Sequence, residues 1–353
     1  MNESRDVAMV IAWPDVTARG DEKWMAVLKS LGVVKNLNFK VGHAAIILIQ
    51  RTTGALAYYD FGRYITPRGY GRARSASSDP RLSLHTRAQF TATGSLSNIP
   101  TITAELHEKE YATHGGGRMY FSIATGISYK KAVAFANQLV NQGPVKYGAI
   151  ANGNNSCSRF VAQTLLAGMP STHPAARHLL FPESGKPSPM SNVINAIPNR
   201  TIHCWQHGKI STQVISRWQS LRFQANLLLH NLSASKARLL PCDQTPGNIA
   251  EPTRPHHLPP DAQWLGGIGE GAWFVLEKNS DTNTYQVIKY ASQGTEEYRI
   301  NCSSAQTINL FLPYQFTYHF HHQWYVIRQG NHKITLRATD TALAPKAQTS
   351  KTA

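Results

Sequence analysis

Apolar residues recur along this chain in two rhythms. "DVAMVIAW" (6–13) and "HAAIILIQ" (43–50) are almost continuously apolar and rich in β-branched side chains, the mark of strands buried on both faces. "RTTGA" supplies turn chemistry after the second run, and "LAYYDFGRY" (56–64) returns as its partner, so a β-hairpin is predicted there. "RMYFSIAT" (118–125) reads as another strand. Helical spacing appears in "DEKWMAVLKSLG" (21–32), stopped by Gly32, and in "PTITAELHEKE" (100–110). It returns in "SYKKAVAFANQLVNQG" (128–143), with Ser128 as N-cap and Gly143-Pro144 as the stop, and in "SCSRFVAQTLLAG" (156–168). Residues 170–240 predict short helices and one strand near "RTIHCWQH".

The pattern changes at "PCDQTPGNIAEPTRPHHLPPDAQ" (241–263), whose prolines read as an extended linker or a crossover lying along the surface. Beyond it, "GAWFVLEK", "TYQVIKYA", "EEYRINC", "QFTYHF" and "QWYVIRQ" are short strands separated by turn residues. The fold class expected is α+β: an N-terminal domain over 1–240, a linker over 241–263, a small all-β domain over 264–337 and a disordered tail over 338–353.

Composition narrows this only a little. In 353 residues, 42% are hydrophobic and 16% charged, an ordinary globular balance with room for two domains. No secretory leader opens the chain and no apolar run is long enough to span a membrane, so a cytoplasmic protein is expected. The four cysteines, Cys157, Cys204, Cys242 and Cys302, are too widely and irregularly spaced for a disulfide framework or a zinc motif. The net charge of +16 is partly local: Arg63, Arg68, Arg72, Arg74, Arg81 and Arg87 face only Asp79 between residues 63 and 87. Tyr64 and Tyr70 interleave with them, but no nucleic-acid motif accompanies the charge. The stretch reads as a solvated loop, or one pinning local carbonyls. It is also the place where an anionic surface would be met.

The candidate chemistry begins at Cys157. Ser156 is a good N-cap, which puts the thiol at the first position of an apolar helix. Unpaired N–H groups and the helix dipole favour a thiolate there, though a small buried structural cysteine is the plainer alternative. A nucleophile needs a base. Among 15 histidines, His43 stands out as the one polar side chain heading an apolar strand, with Gly42 beside it to allow close approach. A base needs an orienting group, and the return strand offers Asp60 first and Tyr59 second. One residue of register decides between them, because a slip flips every side chain to the other face.

"VGHAAIILI", "YYDFGRY", "GYGRARSASSD", "HGGGRMYFS", "YGAIANGNNSCSRFV" and "GIGEGAWF" together resemble a bacterial family of the circularly permuted, NlpC-type papain-like superfamily, over roughly residues 6–337. In that branch the His-bearing hairpin precedes the Cys-headed helix. The resemblance implies a permuted papain-like domain followed by a small β domain. It implies a thiol hydrolase, a peptidase or amidase, with Cys157 as nucleophile, His43 as base and the third polar residue carried onto Asp60. A lipid acyltransferase or esterase of the lecithin:retinol acyltransferase type is the alternative, and a catalytically inactive binding module another. The expected partner is a peptide, amide or acyl substrate, with no cofactor, no metal and no nucleic acid. "HGGGR" (114–118) reads as a turn that can offer backbone N–H groups. "GGIGEG" (266–271) precedes a strand and lacks the helix a phosphate loop needs. "HCWQH" and "HFHH" lack a second ligand cluster.

Overall fold

The computed structural model describes residues 6–20, 23–148, 153–240, 249–279 and 283–339. The expected tail from residue 340, the first part of the linker and Cys242 lie outside them. The chain divides into two compact units. One holds residues 1–62, 69–76 and 82–246; the other holds 63–68, 77–81 and 247–353. Two short pieces of the Arg-rich stretch thus group with the C-terminal unit, and nothing in the hydropathy pattern signals it.

The N-terminal unit is built on an eight-stranded antiparallel sheet. Its elements in chain order are β1 (Asp6–Trp13), α1 (Lys23–Ser30), β2 (His43–Ile49), β3 (Leu56–Gly62), β4 (Tyr70–Ser75), α2 (Ile99–Glu108), β5 (Met119–Ile127), α3 (Tyr129–Gln142), β6 (Val145–Lys146), α4 (Cys157–Gly168), α5 (Pro189–Asn195), β7 (Thr201–Gln206), β8 (Lys209–Val214) and α6 (Arg217–Leu229). The strand order is β8-β7-β5-β1-β2-β3-β4-β6. Where one strand was expected near residue 203, a hairpin, β7–β8, extends the sheet. β1 and β2 are central, and both faces of each are covered, which is why their sequences lack alternation. Ala44, Ile46 and Leu48 pack with Val140, Phe160, Val161, Leu165 and Val193 of the helices on one side. Ala45, Ile47 and Ile49 pack with Trp13, Ile102, Leu106 and Phe121 on the other.

The C-terminal unit continues with β9 (Gln263–Leu265), β10 (Ala272–Lys278), β11 (Thr284–Tyr290), β12 (Glu296–Ser304), β13 (Gln315–His321), β14 (Trp324–Gln329) and β15 (His332–Ala338), in the order β9-β10-β11-β12-β15-β14-β13. The Gln263 side chain accepts from the Phe316 N–H at 2.8 Å and donates to the Tyr314 carbonyl at 2.9 Å. It draws first and last strands together, so the sheet curls into a near-barrel around Phe274, Tyr285, Tyr325 and Leu336. The Pro-rich stretch is held against this unit as far as it is described. Arg254 lies 4.8 Å over the Trp273 ring and donates to the carbonyls of Pro259, Pro260 and Ala262. The glycines of "GGIGEG" serve close packing: a Cβ on Gly267 would lie 2.7 Å from the Ile65 nitrogen, and the Gly269 N–H donates to the Arg63 carbonyl.

The Arg-rich stretch is corrected most. Arg63, Arg72, Arg74 and Arg81 are buried, leaving Arg68 and Arg87 exposed. Arg81 is ion-paired to Asp79, Glu270 and Glu297, and Lys289 bridges Glu270 and Glu297, all within the C-terminal unit. What composition presents as a solvated basic loop has four of its six arginines buried, two of them, Arg74 and Arg81, in ion pairs.

Candidate active site

His43 opens β2, and the geometry around it follows from strand register. Ala45 pairs with Asp60 across the hairpin, so His43 and Asp60 lie on the same face. The His43 Nε2 is 3.6 Å from Asp60 Oδ2, an ionic contact slightly longer than a normal hydrogen bond. Tyr59, the alternative orienting residue, points to the opposite face and donates to Asn137 Oδ1 on α3 at 2.9 Å. The register therefore brings Asp60, and not Tyr59, to the histidine.

Asp60 is fully buried and needs compensation. Arg74 sits directly opposite on β4. It donates through Nε to Oδ1 at 3.0 Å and through Nη2 to Oδ2 at 2.6 Å, a bidentate pair. The same Nη2 donates to the Ala112 carbonyl, and Tyr58 Oη donates to Oδ2 at 3.2 Å. Burial alone would raise the Asp60 pKa, but the charge and hydrogen bonds of Arg74 and His43 outweigh it and hold the carboxyl below its usual range. An ionised carboxylate is thus fixed beside the ring.

Cys157 is the first residue of α4. The Ser156 side chain accepts from the Arg159 N–H at 3.3 Å, which leaves the N–H groups of Cys157 and Ser158 without intrahelical partners. Asn192 of α5 donates to the Ser158 carbonyl at 2.8 Å and fixes this turn. The half-buried thiol hydrogen-bonds His43 and accepts from the Ala44 N–H; Ser158 Oγ is 3.7 Å away. Burial would push the thiol pKa up, but the hydrogen bond and charge of His43, then Ser158 and the Ala44 N–H, bring it below the ordinary value. Burial likewise disfavours the His43 cation; Asp60 and Cys157 outweigh it and raise the pKa to about 9. The two shifts run in the same direction, each favouring the charged form of its group, thiolate for Cys157 and imidazolium for His43.

Trp13 and the role of Arg74 escaped the sequence reading, whereas Gly42 and "HGGGR" were singled out there. Trp13 pairs with His43 across the β1–β2 ladder and stacks on its ring, centroids 5.8 Å apart and planes 13° from parallel. "HGGGR" backs that stack: a Cβ on Gly115 would lie 2.5 Å from the Trp13 ring, and Arg118 pairs with Asp15 at 2.7 Å. Gly42, at φ +74°, fits where a Cβ would meet Trp13 and Pro14 backbone at 3.0 Å. Composition does not separate Arg74 from the other arginines of a loop read as solvated or as pinning local carbonyls; the period-2 pattern of Arg72 and Arg74 in "YGRARS" is the available signal. Among the described residues no cluster of three or more His, Cys, Asp or Glu is placed to hold a metal ion.

Residues 8–174 match the family model "Type VI secretion system effector TseH-like". That span includes His43, Asp60 and Cys157. A second model, the DUF6695 C-terminal domain, matches residues 262–339, the strands of the near-barrel. A crystal structure of the type VI secretion system effector TseH overlays 60% of this chain and 98% of its own at 15% identity, with a TM-score of 0.39, a likeness too distant to bear on mechanism. No curated protein matches the chain.

Proposed function

We propose that the N-terminal unit is a thiol hydrolase of the permuted papain-like type, cleaving an amide bond through a thioester, and that the chain is a secreted effector akin to the family its residues 8–174 match. The observation that supports this is the order Cys157, His43, Asp60, with a helix-start thiol and an ionised carboxylate on opposite sides of one buried imidazole. The Cys157 thiolate attacks the carbonyl carbon. The unpaired N–H groups at the start of α4 receive the developing oxyanion, each donor being worth about 3 kcal/mol. The His43 imidazolium gives its proton to the departing amine, then takes one from the water that opens the thioester. Asp60 keeps the ring oriented and favours its cation.

The test is the pH dependence of alkylation at each cysteine, read by mass spectrometry, in the wild type and in His43→Ala. An ordinary thiol with a pKa of about 8.5 is about 1% thiolate at pH 6.5. Cys157 is expected to react far faster than that at pH 6.5 and to fall to the ordinary rate, by up to about a hundredfold, without His43. Hydrolysis of a peptide or acyl probe is expected to decline as pH rises through about 9, where His43 loses the proton it must donate. A Cys157 that reacts like the other thiols in both proteins would overturn the proposal.

A further inference from the structure

One end of the near-barrel carries an apolar tip of unusual exposure. Between β12 and β13, Phe311 is 100% exposed and Leu312 54% exposed. This tip is held in place. The Gln329 side chain accepts from the Asn309 N–H at 3.2 Å and donates to the carbonyls of Asn309 at 2.8 Å and Leu312 at 3.3 Å. Asn309 Oδ1 in turn accepts from the Phe311 N–H at 3.0 Å. Ile308, at the root, is buried and donates its N–H to Tyr285 Oη at 2.7 Å. A side chain pinned outward this way costs little further ordering when something receives it.

Gln329 ends β14, so the tip adjoins the turn between β14 and β15. Arg328 and Lys333, cross-strand partners one residue from that turn, are exposed, as is His332. From Tyr298 to Thr339 the sequence holds no aspartate or glutamate, against Arg299, Arg328, Lys333 and Arg337. Arg299 is ion-paired to Glu296, but the apolar tip beside the exposed Arg328 and Lys333 matches an anionic bilayer, where an aromatic and a leucine enter the acyl boundary while cations meet headgroups. A nucleic acid suits the charge less well, since Leu312 cannot stack on a base.

We propose that the Phe311–Leu312 tip and the Arg328–Lys333 pair form a membrane-docking surface for anionic lipid. This surface does not depend on the thiol chemistry, and it differs from the Arg-rich stretch, whose arginines are mostly buried. The experiment is co-sedimentation of the full chain with phosphatidylcholine vesicles, with and without phosphatidylglycerol, and with short duplex DNA as a third arm. Binding to the anionic vesicles is expected, and it should weaken as salt rises. Phe311→Ser should weaken it roughly tenfold or more. Arg328→Gln with Lys333→Gln should weaken it by roughly fivefold per charge. Circular dichroism confirms that these exposed substitutions leave the fold intact. Equal binding to both vesicle types, binding indifferent to Phe311→Ser, no vesicle binding, or binding to DNA alone would each overturn the proposal.

Discussion

Replacing Asp60 by Asn tests whether one carboxylate serves both fold and chemistry. The substitution keeps shape and removes charge. Arg74 is 3% exposed, and its two bonds to Asp60 are 3.0 and 2.6 Å, so the variant leaves a buried guanidinium without its counter-ion. Breaking a buried pair from one side costs about 3–5 kcal/mol, out of a total stability of about 5–15 kcal/mol. For a unit of this size the melting temperature should fall by roughly 10 °C. Loss of activity in this single variant would therefore say little about catalysis.

The informative protein is Asp60→Asn with Arg74→Met. Removing both charges should restore most of the stability. His43 nevertheless loses the group that helps raise its pKa, so its pKa should drop from about 9 and the Cys157 pKa should climb. The sign of the pH dependence follows. A raised His43 pKa contributes stability that is complete below its unfolded value of about 6.5 and disappears as pH rises through about 9. The lowered Asp60 pKa contributes stability above about pH 4 that is lost in acid. The wild-type advantage over the double variant should be greatest between those limits, near pH 5–6.5, and shrink by pH 9. Thermal unfolding against pH, alongside Cys157 alkylation, measures both. A double variant that is stable and alkylates with the wild-type pH profile would refute the role given to Asp60. A single variant costing under about 1 kcal/mol would refute the buried-pair argument.

Two further outcomes are expected. Gly115→Ala should cost about 1–3 kcal/mol, because its Cβ would lie 2.5 Å from the Trp13 ring; by displacing the ring stacked on His43 it should also slow Cys157 alkylation near pH 6.5, read by mass spectrometry. Arg81→Met should destabilise the C-terminal unit by about 3–5 kcal/mol, since Asp79, Glu270 and Glu297 would each lose an ion pair with its guanidinium; hydrogen exchange of β10 to β12 should accelerate while β1 and β2 keep their protection.

What the sequence determined was local. Continuous apolar runs made β1 and β2 strands buried on both faces. Ser156 and Ser128 capped their helices where residue type said they would. A lone histidine heading an apolar strand and a thiol heading a helix marked the two ends of one site, because polar atoms in such places need partners. Tertiary structure decided everything that depended on register and pairing. Asp60 was separated from Tyr59 by the alignment of β3 on β2, which no single strand encodes. Arg74 and Arg81 were indistinguishable from surface arginines by composition, since a charge becomes buried only when the fold supplies its counter-ion. Trp13 came to lie on His43 because β1 pairs with β2, strands distant in sequence. The segment 63–68 joined the C-terminal unit through Gly267 and Gly269, whose missing side chains leave room for another backbone, and the segment 77–81 joined it through the ion pairs of Arg81. Propensity acts over a few residues, whereas a partner for a buried charge is chosen only once the chain has closed.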